Sequence, residues 1–191
     1  MMKQALKCGK LFCPQDGKTL KNAVVLVDGN EILAIQGEHE AIPDGFGVID
    51  LSDRFVMPGL IDAHVHAGGF LNGDLNEKTD PITPHVSALH SIDIHADDFK
   101  AIHEAGVTTC CFIPGSSNVI CGTGFVAKTA GKTNLHDLVM LDPAVMKCAM
   151  GGNPKGYGKR GKEPMTRMGV ASVFREGLRK AKAYMEKKEA A

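Results

Sequence analysis

The sequence lacks an excess of charge of either sign: 22 Lys and Arg stand against 22 Asp and Glu over 191 residues. No domain-wide basic field is therefore available, and nucleic acid is not an expected partner. Long apolar runs are also missing. Nothing approaches the ~20 residues of a membrane span, and the N-terminal Met-Met-Lys-Gln-Ala-Leu-Lys has no signal-peptide core. No membrane partner is expected, and the expected compartment is the cytoplasm. The six cysteines form no short disulfide framework, which suits a reducing compartment. Cys8 and Cys13 lie too far apart for a zinc knuckle, and Cys110-Cys111 sits inside an apolar run, so all six read as buried or incidental thiols. No Ser-His-Asp or Cys-His arrangement can be assigned from spacing. The glycine-rich loop from Gly151 to Gly161 lacks the Gly-x4-Gly-Lys-Ser/Thr of a phosphate cradle. Lys155, Lys159 and Arg160 in that loop could meet an anionic substrate, although a solvated loop is the plainer reading. There is no internal repeat and no low-complexity segment.

What is present reads first as strands. Ala23–Val27 and Glu31–Ile35 flank Asp28-Gly29-Asn30, a strong hairpin signal. Val48–Leu51 and Phe55–Met57 continue the pattern, with Pro43 and Gly45 marking a turn. Pro58-Gly59 marks a change of architecture. A helix is expected over Asp97–Ala105, capped by Asp97 or its neighbour, with Phe99, Ile102 and Ala105 on one face and Gly106 as the stop. The β-branched run Val107–Ile113 follows as a strand. Strand, helix, glycine and strand in that order describe a parallel βα repeat. Further apolar pieces lie at Phe125–Ala127 and Val145–Met150. A last amphipathic helix starts near Arg167, with Val170, Val173, Phe174, Leu178 and Ala181 as its buried stripe.

The most informative stretch is Phe55-Val-Met-Pro-Gly-Leu-Ile-Asp-Ala-His-Val-His66. It reads as a buried apolar strand ending in two histidines. Residues i and i+2 of a strand face the same side, so His64 and His66 can present both imidazoles to one point. Imidazole is the commonest protein ligand for zinc-like metals. Two ligands make half a site, because zinc takes three or four. Asp62, just ahead of the pair, is given a structural or ligand-orienting role. His85, His90 and His95 fall on a polar loop, where solvated histidines are the usual case.

The run Val56-Met-Pro-Gly-Leu-Ile-Asp-Ala-His-Val-His66 resembles the signature of the amidohydrolase superfamily. Residues 76–85, Asn-Glu-Lys-Thr-Asp-Pro-Ile-Thr-Pro-His, and Thr166-Arg-Met-Gly169 resemble the imidazolonepropionase-related branch. The resemblance implies an α/β chain: an incomplete (β/α)8 TIM-type barrel preceded by the N-terminal strands of a small β-sandwich. The implied domains are 1–57, the sandwich segment, and 58–191, the N-terminal part of the barrel. A complete barrel needs ~250 residues, so the reading is the N-terminal part of a longer or assembled enzyme, inactive alone and prone to self-association through open edges.

The implied activity is metal-dependent hydrolysis of a non-peptide C–N bond in a small molecule, an amide or cyclic amide. The alternatives are a deaminase of the same superfamily and a non-catalytic half-barrel assembly module. His64 and His66 are the implied ligands of one or two divalent ions, zinc first, with the general base expected beyond Ala191. The metal would lower the pKa of water and polarise the scissile carbonyl. The branch resembled carries a glutamate where this chain has Gly152, so the resemblance also implies the loss of an acid there.

Overall fold

The computed structural model describes residues 3–70 and 73–190. The chain divides into two compact units, Met1–Gly59 and Leu60–Ala191.

The first unit is one four-stranded sheet in the order β3-β2-β1-β4. Its strands are β1 (Lys3–Cys13), β2 (Lys18–Asp28), β3 (Glu31–Gly37) and β4 (Gly47–Val56). The hairpin expected around Asp28-Gly29-Asn30 joins β2 to β3 antiparallel, while β4 runs parallel to β1. Alternation along β1 and β2 serves both faces. Ala5, Val24 and Leu26 pack together on one face, and Cys8, Leu11, Ala23 and Val25 on the other. The two strand pieces expected at 48–51 and 55–57 are one strand with a bulge. Cys8 pairs with Leu51 but Lys10 with Phe55. Gly9 lies opposite that bulge, where a Cβ would come within 2.0 Å of the Ser52 carbonyl oxygen. Only glycine admits so close a backbone approach.

The second unit holds a sheet in the order β5-β6-β7-β8, made of β5 (Leu60–Val65), β6 (Val107–Phe112), β7 (Ile120–Lys128) and β8 (Val139–Cys148). The helices are α1 (Asp97–Glu104), α2 (Leu135–Leu138) and α3 (Arg167–Glu189). β5, α1 and β6 form the expected parallel unit. β7 departs from that repeat, because it pairs antiparallel with both β6 and β8 and reaches β6 through a short loop without a helix. Since β7 alone is reversed, β5, β6 and β8 all point the same way, and their C-terminal ends share one edge of the sheet.

The core of this unit is a stack of three rings between α1 and the sheet. Phe99 lies on Phe112 at 5.4 Å between centroids, and Phe112 on Phe125 at 5.3 Å. Cys110, Ala127 and Leu138 fill the space around them. α1 begins at Ala96 without a side-chain cap, contrary to expectation. Asp97 and Asp98 instead sit in its first turn, where the helix dipole favours carboxylates. Gly106, at φ +83°, ends the helix as expected and hands the chain to β6.

Two expectations about burial do not hold. β5 is an edge strand whose Leu60 and Ile61 are 49% and 75% exposed, because it has only one neighbour and its outer side carries no packing. The stripe on α3 is buried at Val170 and half-buried at Val173 and Phe174, but Leu178 and Ala181 stand in solvent. The apolar periodicity there runs past the part of the helix that touches its own unit. Among the described residues, no helix is long and apolar enough to cross a membrane.

Candidate metal and active site

The strand register explains how β5 delivers its histidines. Asp62 pairs with Cys110 and Val65 with Phe112, so β5 carries one extra residue between these pairs. A bulge of this kind breaks strict alternation. Asp62 and Val65 therefore both lie on the Cys110–Phe112 side, while His64 and His66 flank Val65 and face the other way. The bulge leaves the His64 N–H outside the ladder, and the Asp62 carboxylate accepts it at 2.9 Å. Asp62 thus takes the structural role that fits its place, fixing the backbone that carries the first imidazole.

The two rings meet edge to face, with centroids 5.1 Å apart. His66 Nδ1 lies 2.9 Å from the Ile113 carbonyl oxygen at the end of β6. A carbonyl can only accept, so Nδ1 carries the proton and Nε2 presents its lone pair. This backbone contact is the kind of outer support that orients metal-binding histidines. His64 Nε2 lies 3.4 Å from His66 Nε2 and 3.3 Å from Lys147 Nζ on β8. Burial, then the charges of Lys147 and His66, hold the His64 imidazole below the ordinary histidine range, with Asp62 opposing.

The Lys147 contact was not visible in the sequence. Lys147 sits 83 residues from His64 and belongs to a strand three places away in the sheet. In a flat sheet that separation is ~14 Å, so two long side chains must reach over a face that curls toward them.

The spacing of the two imidazoles matches a divalent metal site. Tetrahedral zinc with bonds of ~2.05 Å places neighbouring ligand nitrogens ~3.3 Å apart, and the two Nε2 atoms stand at 3.4 Å. Two lone pairs held at that spacing suit a shared cation. Among the described residues, no group of three or more His, Cys, Asp or Glu side chains converges. The histidines therefore fit as two donors of a larger set, with the Lys147 nitrogen beside them.

The other residues singled out in the sequence do not join this point. His85, His90 and His95 are exposed. His90 lines a cleft of about 350 Å³ with Asp74, Asn76, Glu77 and Pro114, which opens one residue beyond the carbonyl that holds His66. Residues 151–161 are not the plain solvated loop expected. Asn153–Arg160 is a 3-10 helix anchored by buried Tyr157, whose hydroxyl contacts the Asp80 carbonyl oxygen at 2.7 Å and Asn118 Oδ1 at 2.8 Å. Gly152 is exposed at its start.

An amidohydrolase from Thermotoga maritima MSB8 matches 98% of the chain at 40% identity with a TM-score of 0.87, and the match covers 49% of that protein. The chain belongs to the amidohydrolase superfamily. Amidohydrolase tasK of Hapsidospora irregularis is 32% identical over 184 residues, 86% of this chain and 19% of that protein. A dihydroorotase of Staphylococcus epidermidis is 28% identical over 110 residues, 55% of this chain and 22% of the enzyme. No family model matches. This amidohydrolase chain corresponds to the N-terminal part of the family. It spans about half of the Thermotoga protein and about a fifth of the curated relatives.

Proposed function

We propose that this chain forms part of a metal-dependent amidohydrolase acting on a non-peptide C–N bond, an amide or cyclic amide, in a small molecule. The observation that carries the reading is the convergence of His64 Nε2, His66 Nε2 and Lys147 Nζ at the shared C-terminal edge of β5, β6 and β8. Substrate sites of α/β folds gather at that edge. In this reading residues 1–57 belong to a small β-sandwich and 58–191 to the first part of a (β/α)8 barrel. The curl implied by the His64–Lys147 contact supports the barrel.

His64 and His66 would hold the metal, zinc by the chemistry of the donors. When bound, such a cation supplies the Lewis acidity that polarises a carbonyl and eases deprotonation of water. The chain's own residues prepare that point. Ile113 fixes the His66 tautomer, and Asp62 fixes the His64 backbone. The cleft beside Pro114 would receive the substrate.

The test is metal content after zinc loading and dialysis, for the wild type and for His64→Ala/His66→Ala. The reading predicts retained zinc that the double variant loses. Equal zinc in both would defeat it. The 191-residue chain alone is predicted to hydrolyse no amide, since the two histidines supply only part of a site.

A second reading is favoured by the exposed apolar side chains of the barrel unit, among them Ile61, Leu141 and Met146. In it the unit is an assembly module that covers these residues by self-association. Light scattering at increasing concentration tests it: a dimer supports the module, and a monomer throughout rejects it.

A further inference from the structure

We infer that the cleft between residues 76–85 and Asn153–Arg160 is a binding site for a small oxyanion, the carboxylate or phosphate group of a ligand. The cleft has a volume of about 190 Å³ and is lined by Lys78, Ser117, Asn153, Gly156, Tyr157 and Arg160. Whole small-molecule ligands occupy sites of ~300–1,000 Å³, so this space suits one ionic substituent. Two of its six lining residues are cationic and none carries a carboxylate.

Neither Lys78 nor Arg160 pairs with an acid among the described residues. The acids of the same segment, Glu77 and Asp80, are not among the residues that line the cleft. Glu77 accepts the Thr79 N–H at 3.2 Å and Asp80 the Ile82 N–H at 2.7 Å. Lys155, Lys159 and Lys162 add positive charge along the adjoining backbone, so the local balance is basic in a chain that is neutral overall.

Arg160 is also held in place before any ligand arrives. Its Nη1 donates to the Lys78 carbonyl at 3.1 Å, and its guanidinium carbon lies 5.9 Å from the centre of the Tyr157 ring. That ring is itself pinned through its hydroxyl to Asp80 and buried Asn118. A guanidinium has five N–H donors, and one is used here. A fixed fork with free donors is suited to planar or tetrahedral oxyanions, and less ordering entropy is lost on binding.

The inference does not depend on metal binding or hydrolysis, so each can fail without the other. The experiment is a titration of the 191-residue chain with inorganic phosphate and, separately, with acetate, read by amide chemical shifts and repeated at raised sodium chloride. The expected result is saturable shifts at Lys78, Gly156 and Arg160 with at least one anion, weakening with salt. Lys78→Gln and Arg160→Gln should each raise the Kd about tenfold or more, the loss of one charge-assisted contact. Lys187→Gln removes the same charge from the exposed end of α3 and should change nothing. A response to phosphate alone assigns a phosphoryl ligand, and one to acetate alone a carboxylate. Lys78 is exposed and its substitution spares the fold, so that variant decides the matter if Arg160→Gln does not fold. Absence of saturation with both anions, or an equal effect of Lys187→Gln, overturns the inference.

Discussion

Asn118 offers the sharpest test of how the site is held together. It is 1% exposed, and its amide joins three separate pieces of chain. Nδ2 donates to the Glu77 carbonyl and to Thr83 Oγ1, and Oδ1 accepts from Tyr157. Asn118→Ala deletes all three contacts. At about 1 kcal/mol net for each, and with polar groups left in a buried setting, the loss should be about 3 kcal/mol. For a unit of this size that is a fall in Tm of ~10 °C. Asn118→Asp is the more telling variant, because it keeps the shape but replaces a donor with an acceptor facing the Glu77 carbonyl. It should destabilise at least as much as alanine, since it also buries an uncompensated charge. The assay is urea unfolding followed by circular dichroism, with hydrogen exchange at the Thr83 amide, which donates to the Ile120 carbonyl, as a local readout. If both variants stay within about 0.5 kcal/mol of wild type, as surface changes do, the amide is not the clasp described.

Other outcomes follow from the same structure. Phe112→Ala should cost about 3–5 kcal/mol, because it removes the middle ring of the Phe99–Phe112–Phe125 stack; a change under 1 kcal/mol in urea unfolding would contradict that core. Thiol labelling of the native chain at pH 8 should find Cys148 and Cys13 accessible and Cys110 silent, since it is fully buried and its pKa is pushed up to about 11, chiefly by burial. Labelling of Cys110 at the rate of Cys148 would refute its placement. Zinc uptake should fall as pH drops and protonates the imidazoles. Because the His64 pKa lies below the ordinary histidine value, its loss as a ligand should come at lower pH than for free imidazole; loss at or above that value would contradict the environment described.

Local signals in the sequence were strong where one mechanism dominated. The Asp28-Gly29-Asn30 turn gave the β2–β3 hairpin, and Gly106 gave the α1 stop. His64 and His66 were legible as a pair because they flank a single strand residue. Elsewhere two effects competed. Pro143 hid the first half of β8, since proline argues against a strand, yet β8 is an edge strand that can spare an N–H. Ser52-Asp53-Arg54 suggested a break, but a bulge opposite Gly9 keeps β4 continuous. The reversed β7 left no local mark, because strand direction is set by pairing rather than by composition. The same holds for Lys147, whose place beside His64 depends on sheet order and curvature across 83 residues. Tyr157 and Asn118 read as ordinary loop residues and were not singled out, although together they fix the segments around the cleft.

The most direct test of the account is a zinc titration of the chain with its histidine side chains observed by nitrogen-15 NMR. The account predicts that His66 is already the Nδ1–H tautomer without metal, and that zinc shifts the Nε2 resonances of His64 and His66 while His85, His90 and His95 stay unmoved. Unmoved His64 and His66 resonances, or zinc captured by the loop histidines instead, would contradict it.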